Sequence, residues 1–189
     1  MGKSAPVDAP KGPPAFLFWM APDSDNLVVL VDGNGVARTY ATTSGAQVAE
    51  FPGRVAAAVP SENGRQVITS EVGDTFRLRV WDARTARPVA TSAALAMPPT
   101  FLQSYGSTVV GLLQETSAEL VVWNWSGSPD PRVHALGTGS VGDFVDGEFV
   151  TSLALDKKRN LVRVASEREV RSYSLDDGSA QGRTPQLDG

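Results

Sequence analysis

The clearest pattern of strands and turns in the chain lies at residues 61–91, SENGRQVITSEVGDTFRLRVWDARTARPVAT. Two short runs within them, at 65–69 and 77–81, are rich in β-branched and aromatic residues, which favour β-strands. Gly73 and Asp74 separate the two runs and suit a hairpin turn, and a further strand follows at 87–91. The segment therefore predicts antiparallel strands joined by tight turns.

The same order of strands recurs along the chain, and its clearest marker is an aromatic residue at the end of an alternating run. The markers are Tyr40, Trp81, Trp123 and Tyr173, spaced 41, 42 and 50 residues apart. A period near forty residues with several strands in each copy is typical of four-stranded propeller blades. The sequence therefore predicts an all-β protein, a β-propeller or partial propeller of about four four-stranded antiparallel blades.

Each marker strand has predicted neighbours. Innermost strands are predicted at residues 15–20, 54–59, 100–105 and 149–155, second strands at 26–31, 65–69, 107–113 and 160–165, and outer strands at 46–51, 87–91 and 132–136. The fourth copy has no convincing outer strand, because residues 180–185 are polar and contain a proline. The predicted organisation is a disordered proline-rich leader at 1–14, blades at about 15–53, 54–97, 98–140 and 141–182, and a flexible tail at 183–189.

The second copy resembles a WD-repeat blade, with Asn63-Gly64 in the first hairpin turn and the dipeptide Trp81-Asp82 that names the family. The first copy is similar, and the resemblance covers about residues 15–182. None of the copies has the Gly-His dipeptide of that family. Quinoprotein-like propellers share much of the pattern and stay open as a relative, although they usually carry a tryptophan in the outer strand, where this chain has residues 48–51 and 89–91.

Four blades are fewer than the seven usual in the WD-repeat family. Three arrangements remain open: part of a larger propeller, a ring completed by a second chain, or an unusual closed ring of four blades. An unclosed set of blades would expose strand edges and apolar faces to association.

Composition narrows the classes of partner and location. Seventeen Lys and Arg against twenty-one Asp and Glu give a net charge of -4, which argues against nucleic acid as a partner. No apolar run is long enough for a membrane span. The chain contains no cysteine, and its first residues do not resemble a signal peptide, so we expect an intracellular, cytoplasmic location.

The segment GTGSVG at 137–142 matches the G-x-G-x-x-G spacing of dinucleotide-binding loops. Such a loop needs a helix after it, whereas acidic residues and another β-type run follow here. The longer spacing before the last marker also falls in this region. We therefore interpret the segment as an enlarged connector between blades three and four and expect no cofactor.

Metal and catalytic sites are not predicted. The single histidine, His134, lies in an outer-strand pattern without a second nitrogen or sulfur ligand, so an ordinary edge position is the better interpretation. No G-x-S-x-G motif is present to carry a nucleophilic serine. Basic residues concentrate at 157–159, which we interpret as a solvated mixed-charge hairpin in preference to a site for an acidic partner.

The function that follows is a non-catalytic protein–protein interaction scaffold, as the WD-repeat resemblance also implies. A propeller enzyme or cofactor-binding subunit, quinoprotein-like or sugar-cleaving, is the alternative. The partner is expected to be a protein or a second chain that completes the propeller. Candidate contact residues are Arg84, Trp125 and Phe144, because aromatic and arginine side chains on loops are common interface anchors.

Overall fold

The computed structural model describes residues 14–19, 27–114, 118–136, 150–166 and 169–185. Within these ranges the chain forms sixteen β-strands and no helix. The strands are β1 Pro14–Trp19, β2 Leu27–Asp32, β3 Ala37–Ala41, β4 Gln47–Glu50, β5 Arg54–Pro60, β6 Gln66–Val72, β7 Arg77–Asp82, β8 Pro88–Thr91, β9 Phe101–Tyr105, β10 Thr108–Gln114, β11 Ala118–Asn124, β12 Arg132–Ala135, β13 Val150–Asp156, β14 Leu161–Ser166, β15 Glu169–Ser174 and β16 Ala180–Pro185.

Consecutive strands pair in antiparallel fashion to give four four-stranded sheets, β1–β4, β5–β8, β9–β12 and β13–β16. The prediction of four antiparallel four-stranded sheets is confirmed. No helix in the described part of the chain has the length and apolar character needed to cross a bilayer.

The fourth sheet corrects one expectation. Ala180–Pro185 is a strand after all, and it pairs with β15 from Glu169↔Pro185 to Tyr173↔Ala180. Polar residues are tolerated because β16 is the outermost strand, and the proline stands at its end, where a missing N–H costs no ladder bond. This strand extends three residues beyond the predicted end of the fourth blade.

Three hydrophobic cores lie between consecutive sheets. The first core joins sheets one and two and contains Leu27, Val29, Val31, Ala37, Phe51, Val55, Ala58, Val67, Trp81 and Ala83. The second core joins sheets two and three and contains Ala57, Val59, Ile68, Leu78, Val80, Leu102, Val109, Leu113, Val121 and Trp123. The third core joins sheets three and four and contains Val110, Leu112, Ala118, Leu120, Val122, Leu136, Val150, Leu153, Val162, Val164 and Tyr173.

Three of the four aromatic markers of the repeat occupy these cores. Trp81 is 2% exposed in the first core, and its indole Nε1 donates a hydrogen bond to Thr69 Oγ1 at 2.8 Å. Trp123 in the second core donates to the Ser128 carbonyl at 2.9 Å. Tyr173 is fully buried in the third core. Trp81, Trp123 and Tyr173 therefore each pack their own sheet against the sheet before it, whereas Tyr40 of the first sheet belongs to none of these cores.

Candidate functional site

In the part of the chain that the structure describes, the turns after the third strand of each sheet and after the first strands of sheets two, three and four lie at one end of the molecule, because each sheet is a simple up-and-down meander. We call this end the hairpin end. Its described turns span residues 42–46, 61–65, 83–87, 106–107, 125–131, 157–160 and 175–179. The first strands of neighbouring sheets also contact each other, β5 with β9 and β9 with β13, so the turns that follow these strands converge.

Three of the converging turns are linked by one cluster of side chains. Lys157, in the turn after β13, donates from Nζ to Oε1 of Glu62 in the turn after β5. The same ammonium lies 4.3 Å from the ring centroid of Tyr105 at the end of β9. The backbone N–H of Gly106 donates to the other Glu62 oxygen, Oε2, at 3.2 Å. Sheets two, three and four are thus joined at their inner edge by residues far apart in sequence.

The charges of this cluster are mutually neutralised. The hydrogen bond from Lys157, followed by that from the Gly106 N–H, lowers the pKa of Glu62 below its ordinary value. The two side chains are 40% and 46% exposed, for Lys157 and Glu62 respectively, so solvent screens their attraction and the pair adds little to stability. A cation over an exposed tyrosine ring adds about 0.5–1 kcal/mol. The buried cores between the sheets therefore set the relative positions of the turns, and the cluster bridges turns that those cores have already brought together.

A cleft of about 520 Å³ opens beside the cluster, within the volume range of small ligand pockets. Its lining is about half apolar and half polar or charged. It is lined by Val59, Pro60, Ser61, Glu62, Gln103, Ser104, Leu153, Ala154, Leu155 and Lys157. Ser104 Oγ donates to the Pro60 carbonyl at 2.6 Å, which ties the walls of sheets two and three together. A cleft lined by both apolar and polar residues suits a side chain of a protein partner.

A second cleft, of about 400 Å³, lies at the opposite end and is lined by the second sheet and the connector that leads into it. It contains the ion pair between Arg79 Nη2 and Glu71 Oε2, 3.2 Å apart, and burial raises the pKa of Glu71. Arg79 also lies 5.0 Å from the Trp81 ring. These contacts stabilise the second blade, and the described part of the chain contains no group of three or more His, Cys, Asp or Glu residues placed to hold a metal ion.

Arg84 lies in the turn between β7 and β8, at the hairpin end, and its side chain is exposed. The backbone of this turn is held by Asp82, whose Oδ1 accepts hydrogen bonds from the Arg84 N–H at 3.1 Å and the Thr85 N–H at 2.8 Å. The Thr85 hydroxyl also donates to this oxygen and is the largest cause of the lowered pKa of Asp82. The Trp-Asp dipeptide thus supplies a core residue and a turn residue in succession.

Trp125 lies in the turn between β11 and β12, also at the hairpin end, and is half-buried. Its ring packs against the second core, and its backbone N–H donates to the Ser107 carbonyl at 3.0 Å. Part of the side chain therefore has a structural role, and the rest is available to a partner. Phe144 and the GTGSVG segment at 137–142 lie outside the described residues.

His134 serves packing between blades three and four. It lies on β12, directly against Gly178 in the turn between β15 and β16. Gly178 has φ of +72°, and any side chain at this position would clash with the Cβ of His134. Beside it, Arg132 donates to the Asp176 carbonyl at 3.0 Å. The histidine and the glycine are therefore matched in shape, which is a structural use of the chain's only imidazole.

The inner cluster was not predicted from the sequence. The sequence indicates only that Lys157 belongs to a basic hairpin, and it predicts no role for Glu62 or Tyr105. Glu62 and Lys157 are 95 residues apart, so their pairing depends on how the sheets stack. One feature of the sequence indicates that these three residues are close in space. Each of them lies at or just after the end of the first strand of its blade, so they hold equivalent places in the repeat.

Comparisons with known proteins identify the fold. No family model matches the chain, and no curated protein matches it. Among solved structures, the β-propeller domain of Myceliophteria thermophila Cps50 (Swd1) superposes with a TM-score of 0.69 at 9% identity, covering 96% of this chain and 59% of that one. The fold is that of a β-propeller. The computationally designed Ika8 protein is also similar, with a TM-score of 0.61 and 18% identity over 88% of this chain and 48% of that chain.

The chain spans less than two thirds of the length of either of these two chains. At these identities the likeness concerns the fold alone. The WD-repeat assignment itself stays a prediction from the residues of the second blade.

Proposed function

We propose that this propeller is a non-catalytic, WD-repeat-like scaffold for protein–protein interaction, working within a larger propeller or a multi-subunit assembly. The observation that carries the proposal is the linkage of three blades at the hairpin end by Glu62, Lys157 and Tyr105. The linkage bridges turns and a partly apolar cleft whose relative positions are held by the cores between sheets two, three and four. A preorganised surface loses less conformational entropy when a partner binds, which raises affinity. The distant likeness to the Swd1 propeller domain is consistent with such a role.

Two candidate contact residues flank this surface on neighbouring blades. Arg84 extends from a turn whose backbone is fixed by Asp82, and Trp125 is half-buried beside the second core. Arginine and tryptophan dominate the binding energy of many protein interfaces, and rigid support reduces the cost of ordering them. We propose that a protein partner contacts both residues when it occupies the hairpin end.

The state of Glu62 supports a binding role over a catalytic one. A general acid at neutral pH needs a carboxyl whose pKa is raised toward 7, whereas that of Glu62 is lowered by Lys157. Its two oxygens are already occupied by the Lys157 ammonium and the Gly106 N–H. The carboxylate is therefore held in place as an ion-pair partner. The net charge of -4 also makes a protein a better partner than a nucleic acid.

Site-specific photo-crosslinking in a lysate of the source organism tests the proposal. A photoreactive phenylalanine analogue replaces Arg65, which is exposed in the turn next to Arg84, and in a control it replaces Gly73 at the opposite end of the same blade. The expected result is one protein crosslinked from position 65 and not from position 73, with the product reduced by Arg84→Glu. Capture that does not depend on the end of the blade would contradict the proposal, as would turnover of sugars or alcohols by the chain without any specific partner.

A further inference from the structure

The chain contains the dipeptide Asn-Gly twice, in two turns with the same backbone hydrogen bond. Residues 32–35 lead from β2 to β3, and residues 61–64 lead from β5 to β6. In each turn the glycine N–H donates at 2.9 Å to the carbonyl oxygen three residues earlier. Both glycines have a positive φ, +78° for Gly35 and +65° for Gly64. The second turn therefore serves as an internal comparison for the chemistry of the first.

An Asn-Gly dipeptide can lose ammonia without an enzyme. The glycine nitrogen gives its proton to hydroxide and attacks the side-chain carbonyl carbon of the asparagine, so that a new C–N bond forms. The bond from this carbon to the side-chain nitrogen then breaks, and that nitrogen takes a proton from water and leaves as ammonia. Water opens the resulting cyclic imide at either carbonyl and gives aspartate or isoaspartate. Glycine favours ring closure because it has no Cβ to obstruct it.

The two asparagine side chains differ in how they are held. Asn34 is exposed, and its side-chain amide forms no hydrogen bond with any residue that the structure describes; only its backbone groups are bonded. Asn63 is exposed too, but its Oδ1 accepts the Arg65 N–H at 3.0 Å and lies 2.8 Å from the Ser61 hydroxyl oxygen. Ring closure at Asn63 must first break these contacts, whereas the amide of Asn34 is free to turn toward the nitrogen of Gly35.

The peptide bond between Asn34 and Gly35 also has a cationic partner. Arg54 Nε donates to the carbonyl oxygen of Asn34 at 3.2 Å. When the Gly35 nitrogen loses its proton, the negative charge spreads through the peptide bond to this oxygen, because the two atoms share one π system. The guanidinium stays charged and stabilises the anion through a charge-assisted hydrogen bond. The carbonyl oxygen of Asn63 accepts no hydrogen bond from the described part of the chain.

Asp32 lies in the same turn and would oppose a negative charge on the Gly35 nitrogen if its carboxylate were unpaired. Its Oδ1 accepts the Asn34 N–H at 2.9 Å, and its Oδ2 forms an ion pair with Arg38 at 2.7 Å. The ion pair leaves little net charge beside the reacting nitrogen. The environment of the first turn therefore favours formation of the anion more than that of the second turn.

We propose that Asn34 is a site of self-catalysed deamidation, in which Arg54 stabilises the anion of the attacking nitrogen. The turn is also tied to the second sheet, because the Gly35 carbonyl accepts the Val55 N–H at 2.8 Å. Isoaspartate adds a carbon to the backbone before Gly35 and displaces this carbonyl. The modification thus loosens the contact between the first two sheets at the end opposite the hairpin end. It goes beyond the proposed docking function, since it needs no partner.

Incubation of the purified whole chain at mildly alkaline pH, followed over time by peptide mass spectrometry, tests the proposal. Fragmentation by electron transfer distinguishes isoaspartate from aspartate. The rate at each asparagine is divided by the rate at the same asparagine in the urea-unfolded chain, which removes the effect of the local sequence. On this scale Asn34 is expected to convert severalfold faster than Asn63, with isoaspartate among the products.

Arg54→Gln removes the cation and should lower the rate at Asn34 severalfold while the rate at Asn63 stays unchanged. The matched control is Arg87→Gln, which removes another exposed arginine at the hairpin end and should change neither rate. Equal normalised rates at the two asparagines of the wild type would overturn the proposal. So would an Arg54→Gln chain that reacts at Asn34 as fast as the wild type, or a folded chain that keeps both amides while the unfolded chain loses them.

Discussion

Replacement of Trp81 by alanine is the most informative test of how the blades are held together. The side chain is 2% exposed, its ring centroid lies 5.9 Å from that of Phe51, and its indole N–H donates to Thr69 Oγ1 at 2.8 Å. Truncating a buried tryptophan to alanine costs about 3–5 kcal/mol through lost transfer energy and the cavity that remains. Loss of the hydrogen bond adds about 1 kcal/mol, and loss of the contact with Arg79 adds about 0.5–1 kcal/mol. The expected total is about 4.5–7 kcal/mol, which equals the whole stability of a domain at the lower end of the usual range.

Trp125→Ala is the matched control, because it deletes the same atoms from a half-buried side chain at the hairpin end. We expect a loss of about 1–2 kcal/mol there, as only part of the ring leaves an apolar environment. Urea unfolding followed by far-ultraviolet circular dichroism measures both changes, with the slope of the transition checked for two-state behaviour. Equal losses in the two variants would refute the assignment of Trp81 to a core between blades.

Two further changes test local geometry and electrostatics. Gly35→Ala is expected to lower the free energy of unfolding by about 1–3 kcal/mol in urea titrations. The reason is that Gly35 has φ of +78° and that an added Cβ would lie 2.9 Å from the Val55 carbonyl oxygen. Gly53→Ala is the control and should cost less, because Gly53 has φ of +90° but an added Cβ would have no atom within 4 Å. The pKa of Asp32 is lowered, first by the Arg38 hydrogen bond, so its contribution to stability is present above the ordinary carboxyl pKa of about 4 and is lost as pH falls through the lower folded value. The midpoint temperature of thermal unfolding of the wild type should therefore fall as the pH is lowered from about 5 to about 3. The Asp32→Asn variant should be less stable than the wild type at neutral pH, and its midpoint should depend less on pH. An acid profile in this variant that matches the wild type would count against the role of the ion pair.

The blade architecture could be predicted from sequence because its signals are local. Alternation along a strand, turn residues between strands and a marker such as Trp81 recur in every copy and do not depend on distant contacts. The outer strand of the fourth blade was missed for the opposite reason. Ala180–Pro185 has little strand propensity of its own and is held by its ladder with β15, which composition does not reveal.

The inner cluster at the hairpin end depends on tertiary structure and could not be predicted from patterns. Glu62 and Lys157 meet only because the first strands of sheets two, three and four lie side by side. Arg84 and Trp125 could be placed on turns, since their distance from the preceding strand is visible in the sequence. The contact of Trp125 with the second core was not predicted, because it depends on how sheets two and three pack against each other.

Turns from three blades converge into one surface at the hairpin end, and a zero-length crosslink is a direct measurement of that convergence. A carbodiimide joins a carboxylate to an amine only when the two are in contact, so the purified chain should yield one dominant intramolecular Glu62–Lys157 product on peptide mass spectrometry. A mixture of isotope-labelled and unlabelled chains identifies products formed between molecules. Lys157→Arg should abolish the product while the fold is kept. If Glu62 instead couples mainly to other lysines, or only between molecules, the convergence of the three blades is contradicted.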